Sequence, residues 1–224
     1  MISAMRGGVP QRHRLASVGL VLLLGLLLLS VLGPLVGHDP HATDAAAIYA
    51  APGATHVFGT DHLGRDLFAR VLLGGRLSLQ VGLLATLLAA VLGGLYGLVS
   101  GMGPRWLDQV MMQLLDTLLS IPVILFAVLI QASGEPDVLR PSIAIALVSW
   151  MGVARIVRTE CQQLMRTDFV LASIAAGSGT LRLVVHHLLP NVARPLLVVL
   201  TVSIGQALVL EATLSFLNLG VPAN

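Results

Sequence analysis

Long apolar stretches separated by short polar breaks set the pattern of this chain. Leu15 to Val36 is an uncharged run of 22 residues, enough to meet the roughly 20 that a bilayer-crossing helix needs. Leu77 to Ser100 is a second uncharged run. A third extends from about Trp106 to Gln131 and contains Asp116 and Pro122. A fourth covers Pro141 to Val157 and, being short, is expected to begin nearer Val138. A fifth runs from about Pro195 to Leu217. The pattern predicts an all-α membrane protein with about five transmembrane helices, at 15–36, 77–100, 106–131, 138–157 and 195–217. Polar segments lie between them: a tail at 1–14, a loop at 37–76, a second loop at 158–194 and a short end at 218–224.

Charge orients these spans. Arg6, Arg12 and Arg14 precede the first run, and the positive-inside rule then places the N-terminus in the cytoplasm. A cleaved signal peptide would have a shorter apolar region and a small-residue cleavage site. The 37–76 loop carries Asp39, Asp44, Asp61 and Asp66 and is expected outside. Arginines 6, 12, 14, 105, 155, 158, 166, 182 and 194 fall on the predicted inner side, against 65, 70, 76 and 140 outside. Gly82, Gly93, Gly94 and Gly97 in the second run suggest close packing on another helix. Pro122 predicts a kink in the third.

Composition narrows the chemistry. The chain has 224 residues, 56% hydrophobic and 11% charged, with mean hydropathy +0.90; soluble domains carry about 25% charged residues. All thirteen basic side chains are Arg. Without Lys there is no Walker A phosphate loop and no Schiff-base chemistry. The single cysteine, Cys161, excludes an internal disulfide and a multi-cysteine zinc cluster. His186 and His187 are adjacent and point to different helix faces, with no third ligand at a suitable spacing, so no metal is expected. The net charge of +2 gives no basis for nucleic-acid binding. An intramembrane hydrolase needs a nucleophile and base, or paired aspartates, at membrane depth. The histidines lie outside the spans, and Asp116 is the one aspartate well inside. No catalytic residue is therefore assigned. The hydrolase and an ATP-independent secondary carrier stand as alternatives to a subunit of an energised transporter.

The 158–194 loop contains an unusual element. Phe169 to Ala176 is free of charge, yet an eight-residue helix is only about 12 Å long. Thr167 and Asp168 are suited to cap it and Gly177 to end it. Thr180 is placed to cap a second helix, in which Leu181, Val184, Val185 and Leu188 share one face opposite Arg182 and His186, with Pro190 at its end. The first helix is readable as an interfacial helix, as a cap buried on the protein's own core, or as a knob for a cytoplasmic partner. Elsewhere, Asp116 and Glu211 are charges within spans, where a carboxylate marks a translocation path or an internal partner.

Three motifs in order carry a resemblance that covers nearly the whole chain from about residue 15. Phe58 to Leu83, "FGTDHLGRDLFARVLLGGRLSLQVGL", resembles the opening of the second permease subunit (C-type) of the dipeptide, oligopeptide and nickel transporters. Trp150 to Asn191, with "WMGVARIVR", "FVLASIAAG" and "HHLLPN", resembles the coupling, or EAA, loop of bacterial ABC importer permeases. Glu211 to Pro222, "EATLSFLNLGVP", matches the same subunit.

The resemblance implies a bacterial inner-membrane permease that moves peptides or a related small solute. It implies a heterodimer with a sister permease, two cytoplasmic ATPases that bind the ATP, and an external substrate-binding protein. No cofactor is implied in this chain itself. The coupling positions it implies are Phe169, Val170, Leu171, Ala172, Ser173 and Gly177, with His187, Pro190 and Asn191 at the end of the loop. Gly59, Thr60, Asp61, Gly64, Arg65 and Asp66 form the external motif; Asp61, Arg65 and Asp66 either pair internally or meet the binding protein. The chain departs from the pattern in two ways. Leu171-Ala172-Ser173 stands where the family usually has Glu-Ala-Ala, removing a carboxylate contact to the ATPase. The family also continues into a sixth span, whereas this sequence ends at Asn224.

Overall fold

The computed structural model describes residues 39–122 and 137–217, with isolated positions within 17–30 and at 125, 130 and 220. The described residues are helical, joined by turns; their one β feature is an isolated antiparallel bridge between Thr60 and Asp66. Two compact units meet in sequence at Leu79–Gln80.

The first unit contains a 3-10 turn, Ala45–Ala47, capped by the Asp44 carboxylate, which accepts from the Ala46 N–H at 2.9 Å. A looped segment follows and leads into helix α1, Leu67–Met102. Asp66 starts that helix by accepting from the Ala69 N–H at 2.9 Å, a side-chain cap on one of the unpaired first-turn donors. The helix therefore begins well ahead of the apolar run at Leu77. Residues 67–76, expected within the polar loop, are helical.

In the second unit α1 continues and is followed by α2 (Arg105–Leu119), α3 (Leu139–Leu164), α4 (Asp168–Ala175) and α5 (Thr180–Leu183). A π-helical turn, Val184–Leu188, joins α5 to α6, Leu189–Phe216. Among the described residues three helical stretches are long and apolar enough to cross a membrane: Leu67–Met102, Leu139–Leu164 and Thr180–Phe216. Of the predicted first span only isolated positions between 17 and 30 are described, all helical, and most of the second half of the third lies outside the described residues. The third predicted span is broken, because α2 ends at Leu119 and Pro122 follows that end instead of kinking a continuous helix. A proline disfavours helical backbone in the residue before it.

Helix α3 is the centre of the unit. Its buried residues include Ala144, Ile145, Met151, Val153, Ala154, Val157 and Cys161. α1 meets it along Gly93, Gly97 and Gly101, spaced by four. A methyl group on Gly97 would lie 2.6 Å from the Ala154 carbonyl oxygen and 2.7 Å from Val157 Cβ; one on Gly101 would lie 2.7 Å from Cys161 Cβ. Small residues at this spacing let two backbones approach within a membrane. Gly94, grouped with them in the sequence, has nothing within 4 Å of its would-be Cβ and faces open space, whereas Gly82 packs on Leu208.

The ends of α1, α3 and α6 enclose a core of Leu98, Val153, Val157, Cys161, Leu188 and Val192. The opposite flank of α6 is bare: Leu197, Val198, Val202, Val209 and Phe216 are all exposed. Such a face suits lipid or another membrane helix.

Candidate functional site

The 158–194 segment is less a loop than the extended ends of two long helices with a short helix held between them. α3 runs on through Leu164, and α6 begins at Leu189, before the predicted start at Pro195. Pro195 lies inside the helix.

Between them, α4 occupies Asp168–Ala175. Thr167 holds the N-cap position, but its hydroxyl donates backwards to the Leu164 carbonyl at 2.6 Å and does not cap the helix. The other end closes as expected. Gly177 adopts φ +80°, its N–H reaches the Ile174 carbonyl at 2.9 Å, and the Ser178 N–H reaches Ser173 at 3.1 Å. This is the paired hydrogen bonding of a Schellman ending, in which glycine takes the left-handed position at low steric cost.

Val170 alone of the α4 residues is buried, fully, in the core formed by α1, α3 and α6. Phe169, Leu171 and Ile174 are exposed at 47%, 50% and 43%, and Ala172 and Ala175 are also exposed. A cap folded into the protein's own core would bury more than one side chain, so that reading does not hold. α4 is a knob with one root.

The segment after α4 departs from the expected pattern. Gly179, not Thr180, is the N-cap of α5. Leu181 is 78% exposed, while Leu183 and Leu188 are buried at 4% and 0%. The buried series is Leu183, Leu188 and Val192, so residues 181, 184, 185 and 188 do not form one face together. The cause is the π turn over Val184–Leu188: its wider i→i+5 ladder shifts the face that a regular period assigns. Pro190 does not end the helix either. It stands in the first turn of α6, where a missing N–H is tolerated.

His187 joins the π turn to α4. Its Nε2 lies 3.2 Å from Ser173 Oγ, which also donates to Ser178 Oγ at 2.9 Å. The His187 ring lies against Phe169 at a centroid distance of 6.1 Å. Asn191 Nδ2 donates to the His187 carbonyl at 2.6 Å. Ser173, Phe169, His187 and Asn191 are thereby brought into one connected group, while Leu171 and Ala172 point away from it into open space.

Toward the same end of α3 is a polar cluster that periodicity did not single out. Asp108, buried in the first turns of α2, accepts from Arg158 at both carboxylate oxygens, the Nη2 contact measuring 2.5 Å. Ser100 Oγ donates to it at 2.5 Å and Gln162 Nε2 at 3.1 Å. Four donors from α1 and α3 fix one carboxylate, the bidentate geometry for which arginine is suited. The available signal was the four-residue spacing of Arg158 and Gln162, which places both on one face of α3.

The same stretch of chain is the one that comparison with known proteins marks. Residues 90–223 match the family model described as binding-protein-dependent transport system inner membrane component. The chain belongs to that family. Residues 11–52 also match the N-terminal TM domain of oligopeptide transport permease C. A putative peptide transport system permease protein of Brucella abortus is 42% identical over 212 residues, 94% of this chain and 71% of that protein. Two dipeptide transport system permease proteins, from Alkalihalophilus pseudofirmus and Bacillus subtilis, are 37% and 36% identical, over 95% of this chain and 70% and 67% of theirs. The chain is thus a multi-pass inner-membrane permease subunit of the ABC importer class and not an enzyme; the hydrolase and secondary-carrier alternatives give way.

The permease's remaining candidate residues are placed separately. Asp116, exposed on α2, accepts from Arg155 of α3. Glu211 is buried in α6 and accepts from Ser215 Oγ at 2.7 Å. Among the described residues no cluster of three metal-ligating side chains occurs.

The Gly59–Asp66 motif forms an internally bonded knot. Asp61 accepts from the Leu63 and Arg65 N–H groups at 2.8 and 3.0 Å and pairs with Arg65 Nε at 2.8 Å, with Arg70 at 3.5 Å. Burial alone would raise the Asp61 pKa. The Arg65 and Leu63 N–H groups and the Arg65 guanidinium outweigh it and hold the carboxyl at about 2. Asp66, likewise lowered against the effect of burial by the Ala69 N–H and by His56, meets His56 Nδ1 at 2.9 Å. Thr60 accepts from the Ala50 N–H at 2.8 Å and donates to Ala47. Gly59 and Gly64 both have positive φ, and a side chain on Gly64 would collide with the Asp44 backbone.

Proposed function

We propose that residues 168–191 are the docking element through which a cytoplasmic ATPase drives this permease. The observation that carries the reading is the contrast within α4. Phe169 and Leu171 present an exposed apolar surface, while Val170 is rooted among the ends of three long helices. An apolar knob of this kind suits a groove on a partner, and a push on it passes to α1, α3 and α6 through Val170 and through the Ser173–His187 contact.

The assembly that fits is a sister permease beside this chain, two ATPases and an external substrate-binding protein. The cargo is peptides or a related small solute, as the names of its relatives suggest. ATP is bound by the partner subunits, since a chain without Lys cannot build a Walker A loop. Leu171 occupies the usual carboxylate position, so docking relies on apolar contact, worth roughly 25 cal/mol per Å² removed from water.

Cysteine crosslinking tests the reading. Ala172→Cys is combined with single cysteines along the groove of the co-expressed ATPase, in a Cys161→Ala background. A nucleotide-sensitive crosslink is expected. Its absence, with both proteins present and the permease inserted, would remove α4 as the docking element.

A further inference from the structure

We infer a binding site for one anionic phospholipid at the junction of α1, α2 and the segment after α4, distinct from the exposed face of the knob. Two adjoining hollows compose it. The first is an apolar cleft of about 630 Å³ along the last turns of α1, formed chiefly by Leu95, Leu98, Val99, Leu107, Ile174 and Val184. The second, of about 580 Å³, is polar, and Arg105, Arg158 and Arg166 contribute its positive charge. They share Met102, Gly103 and Met165, so one opens directly beside the other.

The charges decide the occupant. Arg158 is neutralised by Asp108, with which it forms a fork pair. Arg105 and Arg166 are exposed, and among the described residues neither meets a carboxylate. Two uncompensated guanidinium groups suit a phosphodiester, which arginine recognises through paired N–H donors. The cleft alongside is lined by aliphatic side chains at the end of a membrane-length helix. A molecule with an anionic head and an acyl chain satisfies both hollows together; a free phosphate fills one of them. A lipid seated there touches Ile174 and Val184, the backs of α4 and of the π turn. The site stands whether or not α4 docks an ATPase.

Native mass spectrometry of the full chain, delipidated in detergent, tests the site. Phosphatidylglycerol, phosphatidylcholine with the same chains, and inorganic phosphate are added separately. Phosphatidylglycerol is expected to be retained in preference to phosphatidylcholine. Arg105→Gln and Arg166→Gln each weaken that retention about fivefold, equivalent to about 1 kcal/mol per basic residue near an anionic surface. Val99→Trp, which fills the cleft, removes the lipid. Equal retention of the two lipids, or unchanged phosphatidylglycerol binding in the Arg105→Gln/Arg166→Gln double variant, overturns the proposal. So does inorganic phosphate binding as tightly as the lipid and surviving Val99→Trp, which would mark a site for a free anion.

Discussion

Arg158 grips Asp108 with two guanidinium nitrogens across a separation of fifty residues, tying α3 to the first turns of α2. Ser100 and Gln162 complete the carboxylate's partners. Gln162 places the cluster at the end of α3 that leads into α4. Removing one member of such a pair leaves the other charge without its partner, which is more damaging than the pair is stabilising. Arg158→Met should therefore lower stability by about 2–4 kcal/mol, read as thermal unfolding in detergent. Arg158→Lys should fall between, keeping charge but losing the fork. An Arg158→Met protein as stable as the wild type would show that the cluster is dispensable.

The glycines of α1 provide an internal control. Gly97→Ala places a methyl group against the Ala154 carbonyl and Val157, so α1 and α3 must separate and the yield of folded protein should fall sharply. Gly94→Ala meets nothing within 4 Å. It should be neutral or stabilising by up to about 1 kcal/mol, the helix-propensity difference between the two residues. Comparing the two by size-exclusion profile and melting temperature separates close packing from propensity.

Neighbouring residues of α4 should fail in different ways. Val170→Ala deletes buried volume and is expected to destabilise the core by about 1–3 kcal/mol. Leu171→Ser changes an exposed side chain and should leave melting within about 0.5 kcal/mol of wild type. On the proposed docking role it should nonetheless impair transport-coupled ATP hydrolysis in the reconstituted assembly. If Leu171→Ser lost stability as severely as Val170→Ala, the division between root and face would be wrong.

The Gly59–Asp66 knot has a pH dependence of defined sign. The Asp61 carboxyl titrates at about 2 in the folded loop against an ordinary 3.8, and Asp66 is also lowered. A depressed carboxyl stabilises the fold above its unfolded pKa and loses that contribution as pH falls through its folded value. The loop should keep its protection against hydrogen exchange at neutral pH and lose it between about pH 4 and about pH 2. Asp61→Asn should loosen the loop at neutral pH and flatten the dependence.

Several features were legible locally. The apolar runs gave the helical membrane class, and Gly177 marked the end of α4 because a left-handed closing residue is a local requirement. The Gly59–Asp66 stretch read as a turn whose charges either pair internally or meet the binding protein, and Asp61 pairs with Arg65. Other features were not. The period of 3.6 put Leu181 on one face with Leu188, yet only Leu188 is buried, since the π turn between them breaks the regular period. Gly94 and Gly101 exchanged roles for a related reason: spacing alone does not say which stripe of a helix the neighbour meets.

By itself the sequence determined composition-level and nearest-neighbour properties: long helices, a short uncharged one between them, no Lys to hold nucleotide, and motifs sufficient to place the chain in its family. Tertiary structure alone decided that Val170 is the root of α4, that His187 bonds to Ser173, and that Asp108 and Arg158 meet. Helix periodicity acts over three or four residues and leaves a pattern in the chain. A contact between residues fifty apart depends on how whole helices cross, as does the close approach of the Gly93, Gly97 and Gly101 backbone of α1 to α3.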